Sequence, residues 1–211
     1  PERRRFFGHP EPLLVDSMDY RNLGTSDVRV SSLCLGTQTW GEQNSEIEAH
    51  DQLDMAIDHE INFIDTAEMY PFPAKEETSG KTESIIGNWL KKKKCREKII
   101  LATKVTGRHN LPWLGNDGNR LTRSRIESAI YGSLKRLKTD YIDLYQLHWP
   151  DRYTNIFGRL GYNPDPDPDI ISLESQLEVL NDLVDAGKVR YIGVSNETPW
   201  GVMSFLRISE I

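Results

Sequence analysis

The chain has 211 residues, 37% of them hydrophobic and 27% charged, with a net charge of −6 and a pI near 5.4. That length suits one large domain or two small ones, and the composition is that of a globular protein. No apolar run reaches the roughly 18 residues a membrane-spanning helix needs, and the acidic balance argues against a clustered basic face for nucleic acid.

The first stretch, Pro1–Ser17 (PERRRFFGHPEPLLVDS), has no apolar signal core and a mixed charge pattern. We read it as a disordered extension outside the fold, with the cytoplasm as the default location and the remnant of an organelle-targeting segment as the alternative. From Met18 onward, short apolar runs alternate with amphipathic stretches. Strands are predicted at Val30–Leu35, Ile61–Ile64, Ile99–Thr103, Tyr141–Leu147 and Tyr191–Val194. Their nearly continuous apolar character is that of strands buried on both faces, as in a parallel sheet. Helices are predicted near Glu46–His59, Thr82–Lys93 and Thr122–Lys138, then from the N-cap Ser172 to Gly187, and over Trp200–Ile208. Ile126, Ile130, Leu134 and Leu137 share one face of the third helix; Leu173, Leu177, Leu180 and Val184 share one face of the fourth. The run Lys91–Lys94 reads as a solvated helix end, its cations near the negative pole of the dipole. Cys34 and Cys95 offer neither a disulfide framework nor a metal spacing. Two long polar loops, Arg108–Leu121 and Asp151–Ile170, each follow a strand end. The second contains NPDPDPD, which forbids helix or central strand.

The strand ends Asp65, Lys104, His148 and Ser195 lie 39, 44 and 47 residues apart, one βα unit each. Repeated βαβ crossovers either close into a barrel or spread into an open doubly wound sheet. The strand ends favour the barrel. Every one carries a functional-looking group: Gly36-Thr37, Asp65, Lys104, His148 and Ser195-Asn196. In a (β/α) barrel those ends converge on the active site. An open nucleotide-binding sheet would show G-x-G-x-x-G after its first strand, and LGTQTWG has its glycines wrongly spaced. The expected fold is α/β, a (β/α)8 barrel with about five of its eight units present.

Asp65 and Lys104 each end an apolar run at the edge of a buried core. An ion pair is the natural solution there, and in isolation it reads as a structural salt bridge. Tyr70 changes that balance. It stands five residues beyond Asp65, in a segment that Pro71 and Pro73 keep irregular, and can reach back over the barrel mouth. An ammonium nearby favours phenolate, so Lys104 is expected to lower the phenol's pKa while Asp65 holds the lysine in place. His148 then supplies a neutral donor to a carbonyl oxygen. A metal centre on His148, Asp65 and Asp151 is a further, weaker reading. The lysine at its centre argues against it, so no metal is expected.

The stretches INFIDTAEMYP, ILATKV, DYIDLYQLHWPDR and GKVRYIGVSNE resemble four signatures of the aldo-keto reductase superfamily, in the correct order. With YRNLG and NIFGRLGY the resemblance runs from Met18 to Ile211, and it is to the Tas-type NADP(H)-dependent members. It implies an NADPH-dependent reductase of aldehydes or ketones. Tyr70 would protonate the carbonyl oxygen, Lys104 and Asp65 would tune it, and His148 would orient the substrate. Ser195 and Asn196 would hold the nicotinamide carboxamide. Gly36 and Thr37 would lie beside the nicotinamide and ribose, with Asp65 near that ribose. Trp40 and Trp149 would wall the substrate pocket, though for Trp40 a plain core role stands beside that one. The family's remaining strands, with the residue that stacks on the nicotinamide and the basic loop for the 2′-phosphate, would follow Ile211. The unclosed edges would invite self-association. Two other readings share these motifs: a cofactor-binding regulatory subunit of the potassium-channel β type, and an inactive truncated paralogue. The intact quartet argues against a purely non-catalytic role.

Overall fold

The computed structural model describes residues 18–114, 119–155, 158, 160–161 and 170–209. The expectations for Pro1–Ser17 and for NPDPDPD lie outside the described residues. The described chain opens with a hairpin of β1 (Tyr20–Asn22) and β2 (Arg29–Ser31), antiparallel, with Tyr20 opposite Ser31. The single strand expected over Val30–Leu35 is therefore two, because β3 (Cys34–Gly36) starts afresh after a break at Ser32 and Leu33. Local bonds make that break. The Ser31 hydroxyl donates to the Leu33 carbonyl at 2.6 Å, and the Ser31 N–H donates to Asn62 Oδ1 at 2.8 Å. Such side-chain bonds offer the backbone an alternative to the ladder.

From β3 the order is α1 (Glu46–Asp58), β4 (Phe63–Asp65), α2 (Lys81–Lys93), β5 (Ile100–Val105), α3 (Arg123–Leu137), β6 (Ile142–Leu147), α4 (Leu173–Asp185), β7 (Val189–Val194) and α5 (Pro199–Ser209). Strands β3 to β7 form one parallel sheet in strict chain order. A doubly wound sheet would reverse its order at a switch point. Strict chain order is that of successive barrel units, so the fold is α/β, five βα units of a (β/α)8 barrel.

The helices begin where short polar side chains satisfy free N–H groups. Ser45 and Glu48 form a capping box at α1. Thr122 and Ser172 accept from the N–H of Arg125 and Ser175 and so start α3 and α4. Helices α2 and α3 both end on a left-handed lysine, Lys94 and Lys138. Between sheet and helices lies one core, with Ile64, Leu101, Val105, Ile142 and Tyr145 from the strands. Leu53, Ile85, Trp89, Ile126, Ile130 and Leu180 meet them from the helices. Each such side chain contributes about 1.5–3 kcal/mol by leaving water.

A second apolar cluster sits in the loops that follow β4, β5 and β6. Ala67, Met69, Leu114 and Trp149 form it, with Tyr70, Leu111 and Trp113 packed against them. The segment Arg108–Leu121 is thus no simple polar loop, because its apolar residues fold down onto the site. Among the described residues no helix is long and apolar enough to cross a membrane.

Candidate active site

Three adjacent strands place the charged centre. Asp65 ends β4, Lys104 is the penultimate residue of β5 and stands beside Gln146 of β6, and His148 follows β6 directly. The Lys104 ammonium donates to Asp65 Oδ2 at 2.5 Å and to the Thr66 carbonyl at 2.9 Å. It lies 5.2 Å from the centre of the Tyr70 ring. On another side of that ring is His148, with centroids 5.5 Å apart and planes at 80°. The predicted quartet of Asp65, Tyr70, Lys104 and His148 is brought to one place.

Two backbone features hold the quartet's loops. The His148 N–H donates to the Val105 carbonyl at 2.9 Å, extending the sheet by one residue. Trp149 packs against the imidazole at 4.8 Å between centroids and donates from Nε1 to the Arg108 carbonyl at 2.7 Å. Gly107 permits this approach. A Cβ there would stand 2.0 Å from the Trp149 carbonyl oxygen, well inside any real contact.

The electrostatics correct one expectation. Tyr70 is not made more acidic: burial, and then the Asp65 charge, push its phenol up to about 12. The cause lies in the ion pair. Lys104 is already bound by Asp65 and Thr66, so the phenol meets a nearly neutralised ammonium together with the loss of water. His148 is pushed down to about 3 by burial and then by Lys104, which keeps the imidazole neutral. Its Nδ1 is buried with no hydrogen-bond partner.

The other predicted residues gather at the same strand ends, with one exception. Gly36 closes β3, and a Cβ on it would meet nothing within 4 Å, so the space above it is open. The Thr37 hydroxyl donates to the Asp65 carbonyl at 2.9 Å, tying the first two strand ends together. The Ser195 N–H donates to the Leu147 carbonyl at 2.8 Å. Asn196, left-handed with φ 52°, donates from Nδ2 to the His148 carbonyl at 2.9 Å and to Ser195 Oγ at 3.1 Å. Trp149 flanks the quartet. Trp40 does not: it is 1% exposed, belongs to the main core and donates from Nε1 to Gln52 of α1 at 2.8 Å. The pocket-wall expectation for Trp40 is corrected to a core role, its indole N–H satisfied from α1.

Ser195 and Asn196 together suit a primary carboxamide. Both Nδ2 protons of Asn196 are used, which leaves Oδ1 as an acceptor; Ser195 Oγ accepts from Asn196 and keeps its own proton to donate. One donor beside one acceptor is the complement of a carboxamide.

Several residues around the site take partners far along the chain, which no local sequence signal shows. The Gln146 amide donates to Asp65 Oδ1 at 3.1 Å. Arg152 grips Glu197 with two bonds, one of 3.0 Å from Nη1 to Oε2, and also donates to Thr198 Oγ1 at 3.0 Å. This clamp joins the loops after β6 and β7, on either side of the Asn196–His148 bond. Beneath the mouth, Glu68 and Arg125 form a buried pair, and Glu68 also accepts from the Thr106 N–H at 2.6 Å. Asp151, the third member of the rejected metal set, is held elsewhere. Arg120 binds it at 2.7 Å, and it accepts from the N–H groups of Leu121 and Ile171.

The chain has known relatives. The model of the "Aldo/keto reductase family" matches residues 32–210. The chain is 51% identical over 195 residues to Protein tas of Escherichia coli (strain K12), covering 92% of this chain and 56% of that protein. It is 40% identical over 185 residues to the uncharacterized oxidoreductase YrpG of Bacillus subtilis (strain 168), covering 87% and 51%. Among solved structures, the holo form of the aldo-keto reductase AKR11C1 from Bacillus halodurans superposes with a TM-score of 0.67 at 34% identity, covering 92% of this chain and 55% of that one. The chain thus spans about half the length of the curated relatives it matches. With these signatures on these strand ends, the chain belongs to the aldo/keto reductase family.

Proposed function

We propose that the protein is an NADPH-dependent reductase of aldehydes or ketones, with Tyr70 as its proton donor. One observation carries the reading: the buried Lys104 ammonium, paired with the half-buried Asp65, lies over the Tyr70 ring, with a neutral imidazole at the ring's edge. Carbonyl reduction adds a hydride to carbon and a proton to oxygen. The nicotinamide supplies the hydride, so the protein supplies orientation, the proton and charge stabilisation. Ser195 and Asn196 would hold its carboxamide, and Gly36 and Thr37 would line the site from the end of β3.

Tyr70 gives up its hydroxyl proton to the carbonyl oxygen. An alkoxide is a far stronger base than a phenolate, so the transfer runs downhill even from a phenol held near about 12. The phenolate left behind faces the Lys104 ammonium. His148, neutral at physiological pH, donates to the same oxygen and orients it. Trp149 and the apolar loop residues Leu111 and Trp113 keep water from this transfer.

The test is carbonyl-dependent NADPH oxidation, read beside NADPH binding by tryptophan quenching. Tyr70→Phe should lower turnover by ~10²–10⁴-fold and leave NADPH affinity nearly unchanged. Equal turnover by that variant would remove Tyr70 from its role.

A further inference from the structure

Asp65 divides its two oxygens between two partners. Oδ2 accepts from the Lys104 ammonium at 2.5 Å, and Oδ1 accepts from the Gln146 amide at 3.1 Å. The three residues come from three consecutive strands, and Gln146 stands directly beside Lys104 in the β5–β6 register. On its other side Gln146 faces Gly193 of β7. A Cβ on Gly193 would stand at ordinary contact distance, 3.4 Å, from Gln146 Cγ, so β7 packs directly against the glutamine stem.

We infer that Gln146 is a positioning residue for the proposed reduction, fixing the Asp65 carboxylate and through it the place of the Lys104 ammonium under Tyr70. The inference rests on the reductase reading. A carboxylate held by one ammonium alone can rotate, or draw the ammonium into a two-oxygen contact. A donor on the second oxygen blocks both movements. The amide does so without charge, so it neither competes with Asp65 for the lysine nor adds a second cation beside the phenol. A second fixed contact, Lys104 to the Thr66 carbonyl, holds the ammonium from the other end. Displacements of this size matter, since a misplacement of about 1 Å can cost on the order of 10²-fold in rate.

The experiment is a double-mutant cycle on turnover with Gln146→Met, Asp65→Asn and both together. Methionine keeps the stem and loses the donor. Gln146→Met should lower kcat about tenfold and change the carbonyl KM by no more than about threefold. The double variant should be no slower than Asp65→Asn alone, because Gln146 acts through Asp65. Gln146→Asn, which keeps the amide and shortens its reach, should show the same loss and serves if the methionine variant does not fold. Wild-type kcat in both variants, or losses that add in the double, would overturn the inference while the wild type's own turnover upholds the reductase reading. A wild type without turnover on any carbonyl would overturn that reading and the inference with it.

Discussion

Tyr70 and His148 meet edge to face, ring centroids 5.5 Å apart and planes at 80°, with the Lys104 ammonium 5.2 Å from the tyrosine ring. The arrangement keeps both rings in their uncharged forms. Burial and Asp65 hold the phenol up to about 12; burial and Lys104 hold the imidazole down to about 3. A raised phenol pKa means the proton is retained as pH rises. Labelled at the phenol carbon and followed by NMR, Tyr70 should show no ionisation below about pH 10, its ordinary midpoint. A midpoint at or below about 9 would restore the acidified tyrosine that the motif alone suggests.

The two buried histidines make a separate claim about stability. His109 is pushed down to about 4 by burial and then by Arg125, and His148 to about 3. Both are lowered from an unfolded value near 6.5. The unfolded chain therefore binds more protons as pH falls below that value, and stability falls with it, down to the folded pKa values. Each histidine contributes a slope that rises from about 0.7 kcal/mol per pH unit at the unfolded midpoint toward about 1.4 below it. Urea midpoints measured between about pH 6.5 and 5.5, above most carboxylate titrations, should drop steadily. His109→Gln should roughly halve the slope; an unchanged slope would mean that His109 titrates alike in the folded and unfolded chains.

Gly87 sets helix propensity against packing. It lies inside α2, where alanine is favoured over glycine by about 1 kcal/mol. A Cβ there would stand 2.1 Å from the Arg136 carbonyl oxygen and 2.9 Å from Leu137 Cα. Backbone cannot yield as a flexible side chain can, so the clash wins. Gly87→Ala should destabilise by about 1–3 kcal/mol or more, read as a lower urea midpoint. A rise in stability would show that α2 and α3 are not this close.

Much of this was legible in the chain, because the fold writes itself locally. Strands β4 to β7 and helices α1 to α5 lie close to their predicted spans, and Asp65, Lys104 and His148 stand at strand ends where polar residues interrupt apolar runs. Strand β1 carries no signal in the sequence, since its three residues, Tyr20–Asn22, form no apolar run. The split between β2 and β3 depends on Asn62, 31 residues away, which accepts from the Ser31 N–H. Gln146 and the Arg152–Glu197 clamp lie inside recognised motifs, yet their roles depend on partners 81 and 45 residues distant. Spacing shows the charges near Tyr70 but not its desolvation, which raises the phenol's pKa more than they do. Neither burial nor the saturation of Lys104 by Thr66 can be read from spacing.

The buried pair of Glu68 and Arg125 tests how the barrel mouth is held from below. Both side chains are almost fully buried, at 5% and 2% exposure, and the Thr106 N–H adds a third group to the carboxylate. The pair joins the loop after β4, the end of β5 and the first turn of α3. Removing one partner of such a pair leaves the other charged and dry, at a cost of about 3–5 kcal/mol. Replacing both leaves no orphaned charge, so the double variant should lose less than the sum of the singles. Arg125→Met should therefore fall by that amount in urea unfolding, and Glu68→Gln with Arg125→Met should recover part of it. Arg125 also helps hold down the His109 pKa, so Arg125→Met should raise it, visible in the imidazole carbon resonance. If Arg125→Met costs under about 1 kcal/mol, the pair is solvated and the mouth is held by its apolar cluster instead.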